Sequence, residues 1–332
     1  MKFYTNVQVL GNNILFRGYE DGKLKFKRIP FKPTLYLSGA GGYTSIFGDE
    51  LTPRHFSSIK EARAFVKQYK DIDNLEIFGT TDYAAQYIQE NWPNDVEFDE
   101  SLINTLYIDI EVKSDAGFPE PSDALHPIDA ITIRSTKSNR YLALSLYDYD
   151  PAKTELELSV PIEHIKFDDE RELIRAFIEL WNTPEFSPDI VTGWNSRGFD
   201  IPYIINRIIR LFGEAEAAKL SPWKKLEKRH VEVKGFEMEV WEILGVSSID
   251  LMDAFKKFGH KYGPQESYSL NHISHVILDE KKLSYDNHAN MMSIGRGINH
   301  VMPNHNVEAP PKFVRYANAI DKLKQEKLRR SN

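Results

Sequence analysis

Cysteine is absent from the 332-residue sequence. Its absence excludes disulfides and thiolate metal sites, and it fits a reducing compartment. No apolar run approaches the roughly 18–20 residues that a membrane span needs, so no membrane partner is expected. The opening residues, MKFYTNVQVLGNN, lack the apolar centre of a secretory signal. An excess of positive charge is missing as well. The net charge is −7, which excludes the whole chain as a non-specific polyanion binder and leaves room for a local basic groove. What is present is an apolar content of 41%. It suffices for a sizeable core, and the length suits about two domains.

The first hundred residues read as a small α+β unit, here 1–100. "FYTNVQVLGNNILFRGYEDGKLKFKRIPFKPTLYL" is strand material cut by Gly-Asn-Asn and Glu-Asp-Gly turns. A helix is expected in "SSIKEARAFVKQY", with Ser58 and Glu61 as a capping box and Ile59, Ala62, Val66 and Tyr69 on one face. The polar stretch at 93–104 marks a boundary. Beyond it, strands at 105–112, "AITIRS" and "YLALSLYDY" precede a helix near 169–182. The strand "DIVTGWN", the helix "FDIPYIINRIIRLFG" and the hairpin "RHVEVKGFEMEVWEIL" follow, then a strand-to-helix passage and another helix. This mixture implies an α/β class with a mixed sheet over 101–286. The remainder, 287–332, is an aperiodic Asn/His/Gly/Pro-rich loop. A basic helix follows it, with seven Lys/Arg against two acids from Lys312 onward.

The 105–112 strand carries Asp109 and Glu111 two positions apart. Residues so spaced share a face, with Ile108, Ile110 and Val112 opposite. A wet strand face explains the pattern. So does a metal site, because paired carboxylates suit hard divalent cations. Such a site needs a further carboxylate, and Asp200, opening a helix after Gly193-Trp194-Asn195, is the candidate. A helix N-cap is the alternative role for Asp200.

"YIDIEVKSDAGFPEPSDALHPIDAITI" resembles the first exonuclease motif of family B DNA polymerases, in the form found in T-even-type tailed phages. "IVTGWNSRGFDIPYIINRI" is similar to the second motif, and "RLFGEAEAAKLSPWKK", "GVSSIDLMDAFKKF" and "PQESYSLNHIS" keep the family's order. The resemblance implies a ribonuclease-H-like 3′→5′ proofreading exonuclease preceded by an N-terminal polymerase domain. It carries Asp109, Glu111 and Asp200 over as catalytic metal ligands. Two Mg²⁺ or Mn²⁺ ions about 3.5–4 Å apart are implied. Asn195, Phe199 and Phe118 are expected at the DNA strand end, with Phe118 stacking on a terminal base or, alternatively, packing as a core aromatic. Lys234-Gly235 falls where the family has a strand-separating hairpin; a plain edge hairpin is the alternative. The implied partners are a single-stranded 3′ end, primer–template DNA and, through a complete polymerase, a sliding clamp. The implied place of action is the cytoplasm of an infected bacterial host.

The sequence departs from the family in two respects. The third motif, Tyr-x-x-x-Asp after the SYSL segment, is not found beyond Leu283; "YANAID", Tyr316 to Asp321, has one residue too many between them. Asp250 and Asp253 are conceivable substitutes, although their segment has a structural place in the family. His288, His300 and His305 match no standard metal spacing. Polymerase palm motifs are also missing. A second polymerase chain supplying the rest is therefore expected, with a stand-alone exonuclease and a non-catalytic DNA-binding module as alternatives.

Overall fold

A computed structural model describes residues 1–279 apart from 70, 71, 73, 74, 113–117, 139, 149–160, 234 and 235. Side chains are also undescribed at 232, 233 and 236–238. Lys234, Gly235 and the whole of 287–332, with Tyr316, Asp321 and the three histidines of the tail, lie outside the described residues. The chain divides into two units, Met1–Leu102 and Ile103–Asn332.

The first unit begins with an antiparallel meander of β1 (Lys2–Leu10), β2 (Asn13–Glu20) and β3 (Lys23–Pro30). Its second turn is Asp21-Gly22, with φ of 50° and 74°. Two positive φ values are what a two-residue turn needs to match strand twist, hence the Asp-Gly pair. A second sheet has the order β5 (Glu50–His55), β4 (Thr34–Thr44), β6 (Ile77–Phe78). Helices α1 (Ile59–Tyr69) and α2 (Tyr83–Asn91) complete the unit. Ile59, Ala62 and Phe65 of α1 are buried, while Val66 and Tyr69 pack at the margin. The expected capping box is shifted. Ser58 Oγ accepts from the Glu61 N–H, but the Glu61 carboxylate reaches back to Ser57.

The second unit is α/β around a six-stranded mixed sheet. Its strands are β7 (Thr105–Val112), β8 (Ile128–Ser135), β9 (Tyr141–Ser145), β10 (Ile162–Lys166), β11 (Ile190–Gly193) and β14 (Ser247–Asp250). Their order is β10-β9-β8-β7-β11-β14. β7, β8 and β9 pair antiparallel; β10 joins β9 in parallel, and β11 lies parallel between β7 and β14. Leu106, Ile108 and Ile110 of β7 enter one core with α3 (Glu170–Trp181) and α4 (Asp200–Phe212). α3 presents Leu173, Ile174, Phe177, Ile178 and Trp181, the i, i+3/i+4 stripe of an amphipathic helix. A short helix α5 (Glu214–Ala217) leads to the antiparallel hairpin β12 (Leu226–Val233) and β13 (Phe236–Ile243). α6 (Leu251–Phe258) and α7 (Leu270–Leu278) follow β14. No helix among the described residues is long and apolar enough to cross a membrane.

Candidate active site

The site forms where the sheet runs out of partners. β11 pairs with β7 only from Thr105 to Tyr107. Beyond that point the edge of β7 would carry unmatched backbone groups. Asp200 fills the gap. Its Oδ1 accepts from the Ile110 N–H at 3.0 Å, and Ile110 is the residue between Asp109 and Glu111. The three carboxylate-bearing positions are thereby tied to one short length of strand. Phe199, rather than Asp200, occupies the N-cap position of α4 and makes no side-chain cap. Asp200 thus serves the neighbouring strand, and the N-cap alternative does not hold.

Asp109 and Glu111 are half-buried on the face of β7 away from the core. Opposite Asp109 stands Thr132. Its Oγ1 is buried and has no hydrogen-bond partner among the described residues, as is also true of Ser196 Oγ in the β11–α4 loop. Asp200 is only 4% exposed. Burial pushes its carboxyl up to about 7; the charges of Asp250 and Glu111 add to the rise, while the Ile110 N–H opposes it. The physical meaning is a surplus of negative charge around a desolvated carboxylate. Among the described residues, however, no three Asp, Glu or His side chains form a group able to hold a metal ion.

The loop that delivers Asp200 is shaped by two further residues. Gly193 ends β11 so close to β7 that a Cβ there would sit 2.6 Å from the Ile108 carbonyl oxygen. Asn195 then takes the left-handed region, φ 61°, which Asn tolerates better than most residues. Asp250 holds this turn. Its Oδ1 accepts from the N–H groups of Asn195 (3.0 Å) and Met252 (2.9 Å), and its Oδ2 accepts from Arg197 N–H (2.9 Å). Asp250 caps α6 and anchors the loop at once. Asp253 is exposed on α6. The Asp250 carboxylate is thus engaged by three backbone N–H groups.

Phe118 is 69% exposed, so it is no core aromatic. Its ring lies 5.2 Å from that of Phe199, which lies 5.6 Å from that of Tyr203. Behind this ladder, α4 grips the segment that leads from Phe118 into β8. Tyr203 Oη donates to the His126 carbonyl (2.8 Å) and accepts from its N–H (3.1 Å). Asn206 Nδ2 donates to the Pro121 carbonyl at 2.8 Å. Arg207 donates through Nη1 to the Ala124 and Leu125 carbonyls and pairs bidentately with Glu170, at 2.7 and 2.6 Å. Sequence reasoning missed Tyr203, Asn206, Arg207 and Glu170. The available signal was a polar pair, Asn206-Arg207, inside the otherwise apolar run IINRII.

Comparison with known proteins places the same region. The exonuclease domain of DNA polymerase family B matches residues 64–273. The DNA-directed DNA polymerase of Escherichia phage RB69 is 34% identical over 310 residues, which are 86% of this chain and 34% of that protein. The DNA-directed DNA polymerase of Enterobacteria phage T4 is 30% identical over 313 residues, 88% of this chain and 34% of the relative. A DNA polymerase of Red sea bream iridovirus is 30% identical over 212 residues, 60% and 21% of the two chains. The chain thus spans about a third of the phage polymerases it matches. The match covers β7, the Asp200 loop and the Asp250 anchor together, and on that ground this chain belongs to the family B DNA polymerases, as the exonuclease portion of a T-even-type phage member.

Proposed function

We propose that the chain is the proofreading part of a phage DNA polymerase, removing nucleotides from DNA 3′ ends during replication in the infected host cell. The observation that carries this reading is the bond from Asp200 to the Ile110 N–H, which ties a desolvated carboxylate to the strand segment bearing Asp109 and Glu111. Oxygen donors alone, with surplus negative charge, suit Mg²⁺ or Mn²⁺. When bound by Asp109, Glu111 and Asp200, two such cations supply an acidified water and offset charge on the reacting phosphate. The chain's own residues do the rest. Asp200 is fixed by backbone rather than by a mobile partner, so it keeps its place when the strand end arrives. Phe118 and Phe199 offer a ring surface to the terminal base, and Asn195 lies in the loop beside it. Lys234 and Gly235, which lie between β12 and β13 in sequence, would act on primer–template DNA.

The described residues do not close a three-donor group, and the sequence has no Tyr-x-x-x-Asp after Leu283, where the family carries it. The reading therefore includes a further donor from the rest of a complete polymerase, on a second chain, which would also bring any sliding-clamp contact. The domain assignment is part of the same reading: 1–100 as the N-terminal polymerase domain, 101–286 as the exonuclease and 287–332 as a divergent tail.

The test is Mg²⁺- or Mn²⁺-dependent release of 3′ nucleotides from single-stranded DNA, by the chain alone and with a chain supplying the third motif. Asp109→Ala with Glu111→Ala should lower the rate about 10³-fold or more, the scale on which preorganised electrostatic groups act. Release that survives this double change, or no release even with the added chain, would overturn the reading. The open donor group favours one second reading, DNA binding without cleavage, which the latter outcome would leave standing.

A further inference from the structure

The hydrogen bonds of Asp250 start α6 at the loop that delivers Asp200. The helix and the 3-10 turn after it, His260–Tyr262, then carry a cationic surface away from the site. Lys256, Lys257 and Lys261 are exposed, and none of them has an ion-pair partner among the described residues. Other lysines of this chain sit on an acid: Lys27 on Glu20, Lys166 on Asp148, Lys219 on Glu216, Lys228 on Glu239. These three sit on aromatic rings instead. Lys256 Nζ lies 5.3 Å from the Tyr268 ring centre, Lys257 lies 5.3 Å from Phe258, and Lys261 lies 4.6 Å from Tyr262. A ring orients an ammonium group without neutralising it. The charge is held in place and still owed a counter-ion.

The rings are continuous with the site. Phe255 stacks on Tyr262 at 5.8 Å and contacts Trp194 at 6.0 Å. Trp194, next to Asn195, donates from Nε1 to the Tyr268 carbonyl at 3.0 Å. Phe258 is 70% exposed. At 1.5 Å per helical residue, Lys256 and Lys257 stand about 10 Å from Asp250, the length of about three stacked nucleotides. Asp250, Asp253 and Glu266 are the acids nearby in sequence; Asp250 is engaged by three backbone N–H groups, and none of the three acids pairs with these lysines.

We propose that the last turn of α6 and the turn that follows it, with Lys256, Lys257, Lys261 and the exposed Phe258, form a lane for the phosphate backbone of the single-stranded polynucleotide whose end lies at the site. Phosphates match the unneutralised ammonium groups, and an exposed ring accepts bases without regard to sequence. This rests on the exonuclease reading for its direction along the strand, and it extends that reading to the strand behind the end.

The experiment measures binding of a 12-nucleotide oligothymidylate to the full chain in EDTA across a salt series. Each phosphate contact contributes about 0.7 to the slope of log K against log salt for single strands. Lys256→Gln/Lys257→Gln/Lys261→Gln should lower that slope by about two. The control Lys32→Gln/Lys60→Gln/Lys67→Gln removes the same charge from exposed positions of the first unit and should leave the slope unchanged. In the cleavage assay the α6 variant should raise KM and spare kcat. An unchanged slope, an equal fall in the control, or no binding by the parent chain would overturn the lane. Because EDTA binding needs no chemistry, lost cleavage with the slope effect intact would sink only the exonuclease reading.

Discussion

Asp250 and Asp200 are both buried acids, one at the end of β14 and the other at the start of α4, and their surroundings give them opposite tasks. Asp250 spends its carboxylate on three backbone N–H groups, two of them in the loop after β11. Asp200 accepts from the Ile110 N–H and from its own, and remains short of compensation. Hydrogen bonds to a charged acceptor are worth about 1.5–3 kcal/mol each when one partner is lost from a buried place. Asp250→Ala should therefore cost about 3 kcal/mol or more, read as a lowered urea midpoint. It should also expose Trp194, whose loop loses its anchor, and shift its fluorescence to the red. An unchanged midpoint would show that the Asn195 turn holds itself.

At the scale of elements, α4 joins two functions that its periodicity alone does not reveal. One end delivers Asp200, and its Tyr203, Asn206 and Arg207 fasten the segment following Phe118. The Arg207–Glu170 pair is nearly buried, with the side chains 8% and 10% exposed. Removing one member of a buried pair leaves the other charged and unpaired, at about 3–5 kcal/mol. Arg207→Met should cost that much by urea denaturation. Arg207→Met with Glu170→Met should cost less than the sum of the single changes, since the second removes the orphaned charge. Additive losses would mean that the carbonyls of Ala124 and Leu125 are what Arg207 serves. The edge strand β10 offers a pH test. His164 meets Ser145 Oγ at 2.9 Å, near Asp148 and Lys166. Burial lowers its pKa below the ordinary 6.5, against the Tyr147 backbone and Asp148. The unfolded chain then takes up the proton first, so this contribution is full above pH 6.5 and is lost as pH falls through the lower folded value. His164→Gln should flatten the acid-side decline of the urea midpoint; an equally steep decline would acquit His164.

These elements also show why part of the molecule was legible in its sequence. From Ile108 to Glu111 β7 alternates buried with half-buried residues, and α3 buries one stripe, so their periods of 2 and about 3.6 are written into the residues. The Asp-Gly hairpin is written locally as well, because two positive φ values admit few residue types. The strand order β10-β9-β8-β7-β11-β14 is not local. It depends on pairings such as Ile190 with both Thr105 and Ser247, far apart in the chain. Asp109 and Glu111 could be read as a pair because two positions on a strand fix a shared face. That Asp200 bonds to the N–H between them follows from where β11 stops, which no pattern of side chains encodes. The same holds for Asp250, whose single letter reads equally as a cap, a ligand or a solvated charge.

At the scale of the whole chain, the first unit carries its own core. Ile14, Phe16, Phe31, Leu35, Phe56, Ile59, Ala62, Phe65, Tyr83 and Tyr87 form one buried cluster, with Trp92 packed against it, all within Met1–Leu102. Trp92 is fixed at both ends of its ring system. Its Nε1 donates to the Lys2 carbonyl at 2.9 Å, and its ring lies 6.2 Å from Phe16. A chain of about 100 residues with one closed core is long enough to fold unaided. At roughly 0.05–0.15 kcal/mol per residue, its expected stability is about 5 kcal/mol or more. Residues 1–102 made alone should therefore unfold in urea as a single cooperative transition, followed by Trp92 fluorescence and circular dichroism together. Phe16 is fully buried, and Phe16→Ala should cost about 3–5 kcal/mol in the fragment. The decisive comparison is the same change in the full chain. If the core is self-contained, the two costs should agree within about 0.5 kcal/mol, the limit for uncoupled sites. A fragment without a cooperative transition, or a markedly larger cost in the full chain, would show that the core of Phe16 and Trp92 needs more than its own hundred residues.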